Sequence, residues 1–149
     1  VPSSLTSNPL TIEELKIEND SYNDSSVTEL KLSGVVQLKQ IVIGDDCFGK
    51  VRVFELDGLS ELESVVIGSY SFTYAKTKED IWNNGVDKRS DGVCRIVNCP
   101  KLQSIRIGDY SFADYHSFEL NNLPSLQSIG IGEYCFYWTP SFSLTGLVD

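Results

Sequence analysis

Apolar residues recur along this chain in short runs, two positions apart, and the runs return at a fixed spacing. The phrase Leu-x-x-Ile/Val-x-Ile-Gly-x-x-Ser/Cys-Phe occurs four times, closing on Phe48, Phe72, Phe112 and Phe136. Its glycines are Gly44, Gly68, Gly108 and Gly132, spaced by 24, 40 and 24 residues. A 24-residue period with one 16-residue insertion predicts a solenoid, in which each unit buries its apolar face only against its neighbours. A second phrase completes each unit: Leu30-Lys-Leu32, Phe54-Glu-Leu56, Cys94-Arg-Ile96, Phe118-Glu-Leu120 and Phe142-Ser-Leu144, each reaching Gly or Asn two residues later. Alternation that ends at such residues describes short strands entering turns. No repeat window shows a long 3.6-residue period, so the expectation is parallel strands stacked coil on coil with little or no helix.

The columns of the repeat say which side chains point inward. Ile41, Val65, Ile105 and Ile129 form one apolar column, and Ile43, Ile67, Ile107 and Ile131 the next. Val42, Val66, Arg106 and Gly130 vary between them and are expected to face out, as a strip open to contact. The four phenylalanines make an aromatic spine, each ring placed over the next at about the 4.8 Å spacing of strands. The glycine after each Ile is expected to permit a tight turn or a positive φ.

Ile107-Gly-Asp-Tyr-Ser-Phe112 and Ile131-Gly-Glu-Tyr-Cys-Phe136 resemble the Ile-Gly-x-x-Ala-Phe phrase of leucine-rich repeats of the BspA-like type. The resemblance covers roughly residues 27 to 149. Ser or Cys stands where that family has a small Ala, and Ile-Gly where it often has Ile-Pro. The resemblance implies a right-handed leucine-rich-repeat solenoid, mainly β, of about five coils. It also implies use in adhesion or protein recognition at a cell surface, and it carries over no catalytic residue.

Residues 1–26 are expected to form a degenerate amino-terminal capping coil, because Leu15-Lys-Ile17 lies 26 positions before Ile41-Val-Ile43 and Tyr22 lies 26 before Phe48. Residues 27–149 form the solenoid proper, with the insertion at approximately 73–93. At the other end Phe142, Leu144 and Leu147 belong to an ordinary repeat phrase, which leaves strand edges and apolar side chains uncapped. The expectation is that the natural protein continues or that another chain covers this edge. No apolar run is long enough for a membrane span or a signal peptide, so direct membrane insertion is not expected.

Chemistry adds less. Cys47 and Cys135 share a column three coils apart, roughly 14 Å, beyond disulfide reach. Cys94 and Cys99 replace core Phe and Leu and read as buried thiols, with a local bridge as the alternative. The single histidine and the absence of a Cys-x-x-Cys pair argue against a metal site. Asp45, Ser69, Asp109 and Glu133 share the position after the glycine. Asp109 and Glu133 then lie about 5 Å apart, a spacing open to calcium or acid–base work, although turn carboxylates are usually just solvated. No Ser/His/Asp set, phosphate-binding glycine loop or metal-ligand cluster is present, and neither cofactor nor catalysis is expected. The net charge of −9, from 12 basic and 21 acidic residues, works against nucleic acid as a partner.

Specificity is expected in the loops after each Phe, which share a position yet little chemistry: residues 49–53, 113–117 and 137–141. The longest of them, the insertion, holds Trp82 as a candidate anchor and Lys76, Lys78, Lys88 and Arg89 as the densest basic cluster. The alternative is that Ile81 and Trp82 fold back over the flank. With Tyr115, His116, Tyr137 and Trp138 these residues would compose an aromatic rim of the kind that binds proteins, unless Tyr115 and Tyr137 stack as a second ladder. Sequons at Asn19 and Asn23 favour a secreted or surface setting, free core thiols a cytoplasmic one. The expected function is non-enzymatic protein recognition through this rim. The alternative is end-to-end assembly through Phe142, Leu144 and Leu147.

Overall fold

The computed structural model describes residues 12–34, 37–74, 77, 89–137, 139 and 141–147. It contains ten strands and, among the described residues, no helix: β1 Glu14–Ile17, β2 Glu29–Leu32, β3 Gln40–Ile43, β4 Val53–Asp57, β5 Ser64–Ile67, β6 Arg89–Val97, β7 Ser104–Ile107, β8 Tyr115–Asn121, β9 Ser128–Ile131 and β10 Ser141–Thr145. Odd-numbered strands form one five-stranded sheet in the order β1-β3-β5-β7-β9, and even-numbered strands a second in the order β10-β8-β6-β4-β2. Every pairing is parallel. The molecule is therefore a β-solenoid of about five coils, each giving one strand to each sheet.

The register is the one the repeat spacing dictates. Leu15, Ile41, Val65, Ile105 and Ile129 oppose one another in turn across the first sheet. Leu30, Phe54, Cys94, Phe118 and Phe142 do so across the second. Alternate residues point between the sheets and are buried in the inner coils, with Ile41, Val65 and Ile105 at 0% exposure. The insertion is absorbed before β6, whose first residues already pair: Arg89 opposes Tyr115, and the register then shifts before Val93 meets Ser117. Residues 89–93 thus lie in a strand, which shortens the expected loop.

Rings continue the stacking beyond the strands. Tyr22, Phe48, Phe72, Phe112 and Phe136 form one column with centroid separations of 5.3, 5.1, 4.6 and 5.2 Å. Tyr70, Tyr110 and Tyr134 form a second, at 4.7 and 5.2 Å.

The glycines do a different job from the expected one. Gly44, Gly68, Gly108 and Gly132 are not among the positive-φ residues; those are Asp46, Tyr70, Tyr110 and Tyr134, and the phenylalanines that close each phrase. At Gly68 a Cβ would lie 2.7 Å from the carbonyl carbon of Gly44, and at Gly108 it would lie 2.6 Å from that of Gly68. Real Cβ atoms do not approach backbone so closely, so glycine is required by the contact between coils. The turns expected at Gly or Asn after the second-sheet strands are present, and there the left-handed residues are Gly34, Gly58, Asn98, Asn122 and Gly146.

Candidate partner-binding surfaces

Among the described residues the candidate surfaces are the outer faces of the two sheets, the turns that carry the acidic column, the loops after each Phe, and the last coil. On the first sheet Lys16, Val42, Val66, Arg106 and Gly130 lie side by side on the outer face. Because Gly130 has no side chain, a shallow depression of about 520 Å³ opens beside Arg106, lined also by Val66, Asp109 and Gly132. On the second sheet Arg95 is consumed internally: its Nε donates to Glu119 Oε1 at 2.8 Å and its Nη1 to Glu55 Oε1 at 3.2 Å. The hydrogen bond to Glu119 raises the guanidinium pKa, with Glu55 and Asp57 adding to it.

Two members of the acidic column bond the next coil. Asp45 Oδ1 accepts the Ser69 N–H at 2.8 Å, and Asp109 Oδ1 accepts that of Glu133 at 2.9 Å. Asn19 Oδ1 begins the same row by accepting from Asp45 N at 2.8 Å. Asn19, Asp45 and Asp109 each thus cap the turn of the next coil, which gives these side chains a structural role. Among the described residues no group of three His, Cys, Asp or Glu side chains is placed to hold a metal ion. The sequon asparagines are likewise engaged between coils, Asn23 donating to Asp46 O and accepting from Gly49 N, both at 2.7 Å.

The rim is smaller than expected. Tyr115 is fully buried; its hydroxyl donates to Val51 O at 2.5 Å and its ring meets Phe112 edge-on at 4.9 Å. It leaves the candidate surface for the core because the loop turns inward there, with Ala113 and Asp114 buried beside it. His116, next along β8, points out to solvent, and Tyr137 is 46% exposed while leaning on Tyr134 at 5.7 Å. Tyr137 and Tyr115 therefore do not pack as a pair; the second ladder is made by Tyr70, Tyr110 and Tyr134. Trp82, Lys76, Lys78, Lys88 and Trp138 lie outside the described residues, as does the side chain of Arg89.

The last coil departs from the column rule. Ile129 and Ile131 are 37% and 39% exposed, and Phe142 and Leu144 are 51% and 47% exposed, although each occupies an inward position. Their partners one coil earlier, Ile105, Ile107, Phe118 and Leu120, are at 3% or less. Of the edge residues named from sequence, Phe142 and Leu144 are exposed and Leu147 is half-buried. Ile129 and Ile131 belong with them, and their place in the last repeat was the signal for it.

All four cysteines are free. Cys94 and Cys99 are buried thiols with no bridge between them. Burial raises the pKa of Cys47, Cys94 and Cys99, and pushes that of Cys135 up to about 11.

No protein-family model matches the chain, and neither the curated proteins nor the solved structures hold a match to it.

Proposed function

We propose that this chain is a non-enzymatic recognition module, a leucine-rich-repeat solenoid of the BspA-like type that binds a protein partner through loops on one rim. The observation that carries this is a division of labour within the coil. Polar groups repeated from coil to coil, such as Asp45, Asp109 and Ser71, are spent on bonding the coils together, whereas His116 and Tyr137, which differ between coils, face solvent. A constant frame carrying variable exposed loops is the arrangement of a binding scaffold. Adhesion at a cell surface or in secretion fits this use, with a cytoplasmic setting as the alternative; no helix among the described residues is long and apolar enough to cross a membrane.

The test is binding of the purified chain to an array of purified cell-surface and secreted proteins. Binding should be lost in a double variant, His116→Ala with Tyr137→Ala, whose circular dichroism is unchanged. Binding that survives this variant and removal of residues 77–87 would overturn the loop reading.

A second reading has its own observation: the four exposed apolar side chains of the last coil favour assembly through that end.

A further inference from the structure

We propose that Asn19, and not Asn23, carries an N-linked glycan. The inference goes beyond the recognition reading and rests only on its secreted or surface setting. Both sequons read Asn-Asp-Ser, at residues 19–21 and 23–25, so their residues do not separate them. Their places in the coil do.

Asn19 stands on the turn after β1, in the column of Asp45, Ser69, Asp109 and Glu133. Its Oδ1 holds the next coil by accepting from Asp45 N at 2.8 Å. Its Nδ2 bonds no group among the described residues, and the residue is exposed. That exposure belongs to the column and not to the first coil alone, because in the inner coils Asp45 and Asp109 are exposed and Ser69 is half-buried. A glycosylated asparagine keeps its carbonyl, so the bond to Asp45 survives a sugar on Nδ2.

Asn23 has the opposite surroundings. The residues of its column in the inner coils, Gly49, Thr73 and Ala113, are buried. Both ends of its amide are spent between coils, Nδ2 on Asp46 O and Oδ1 on Gly49 N, each at 2.7 Å. The space beside it is a depression of about 170 Å³, walled by Thr73 and by Lys50, whose Nζ lies 4.5 Å from the centroid of the Tyr74 ring. A bulky group on Nδ2 would push against Asp46 and this wall and part the first coil from the second.

The donor in N-glycosylation is an oligosaccharide carried on a lipid pyrophosphate. Nδ2 of Asn19 bonds to the anomeric carbon and the carbon–oxygen bond to the pyrophosphate breaks. The pyrophosphate leaves with that electron pair as the amide gives up one proton. Transfer acts on the unfolded chain, so folding does the selecting: the turn at Asn19 closes beneath a glycan, and the coil at Asn23 does not. The glycan is then rooted in the row of acidic turns, and the loops after each Phe, which begin at the position of Asn23, stay bare.

The test is to secrete the whole chain from cultured eukaryotic cells behind a cleaved leader and to map its glycans by peptide mass, after release with an amidase that leaves an aspartate at each occupied position. The leader supplies the secretory setting, so the outcome bears on the site alone. The expected result is a glycan at Asn19 and none at Asn23. Ser21→Ala, which keeps Asn19 and its bond to Asp45, should give a folded, secreted chain with no glycan, and Ser25→Ala should change nothing. A secreted chain bare at Asn19, or glycosylated at Asn23, would overturn the assignment. Failure of the rim reading, tested through His116 and Tyr137, touches neither result.

Discussion

A column of small polar side chains fixes the distance between coils. Ser71 Oγ donates to Gly44 O at 2.8 Å and accepts the Cys47 N–H at 3.1 Å, and Ser111 Oγ does the same with Gly68 O at 2.6 Å and Ser71 N at 3.1 Å. Cys47 and Cys135 flank these two serines in the column, and each thiol donates to a carbonyl of the coil before it at 3.0 Å. Ser111→Ala would strand a buried N–H and a part-buried carbonyl, at a cost of about 2 kcal/mol. Ser111→Cys should lose less than half of that, and urea denaturation of the two variants checks the difference. The thiols also make stability depend on alkaline pH. Burial raises the pKa of Cys135 from 9.0 to about 11, so the native state holds a proton that the unfolded state has released. Stability is then full below pH 9 and falls as pH climbs from 9 toward 11. The fall should be smaller in Cys135→Ser, read as the urea midpoint at pH 8 and at pH 10.5. The residue types in this column were legible in the sequence as a departure from alanine. Their role was not, because spacing says which residues stack and nothing of which way a hydroxyl donates.

The turn that follows each strand of the first sheet forces residues other than glycine into the left-handed region. Tyr110 and Phe112 sit at φ of 67° and 56°, and the same pair of positions repeats at Tyr70 and Phe72 and at Tyr134 and Phe136. Such backbone is unfavourable for a residue with a Cβ, and stacking offsets it: in these three turns the two left-handed positions carry the rings of the two ladders, whereas the earlier coils place Asp20 and Asp46 at the first of them. The phenylalanine ladder was legible, since identical rings at a 24-residue period fall into one column. The left-handed positions were not, because the glycine beside them was the more obvious candidate and turned out to be needed for clearance. Phe112 stacks on Phe72 and Phe136 and also meets Phe54 and Tyr115, with no exposure. Phe112→Ala should therefore cost about 4 kcal/mol, a large share of the 5–15 kcal/mol typical of a whole domain. Phe142→Ala, at a position already 51% exposed, should cost less than about 1 kcal/mol at a concentration low enough to keep the chain monomeric. Thermal unfolding followed by circular dichroism separates the two.

A solenoid has no single centre, so its stability is a sum of coils and the contacts between successive coils. That geometry made the fold readable from one period, and it made the site hard to read, since the repeat specifies the frame and leaves the loops free. Tyr115 shows the limit: its place in a variable loop pointed to the rim, but its ring fills the space beneath Val51 and Phe112. Ile129 and Ile131 show the converse, core positions by column that become surface because no described strand lies beyond β9. The same linear logic predicts that one lesion has different consequences along the chain. Alanine at Gly68 or Gly132 meets the preceding coil equally, with nearest atoms at 2.2 and 2.3 Å. At Gly132 the collision separates only the last coil from the other four, so the remainder keeps its contacts and unfolds at nearly the original urea midpoint. Hydrogen exchange would then speed up in β9 and β10 alone. At Gly68 it falls between the second and third coils, leaving two pieces each too short to bury its own core, and exchange should rise in every strand. Gly130→Ala serves as the control, because its Cβ would meet nothing closer than Arg106 Cγ at 3.8 Å and should leave both readouts unchanged. If Gly132→Ala instead unfolded the whole molecule, the coils would be behaving as one cooperative body, and the last coil would be holding the others in place.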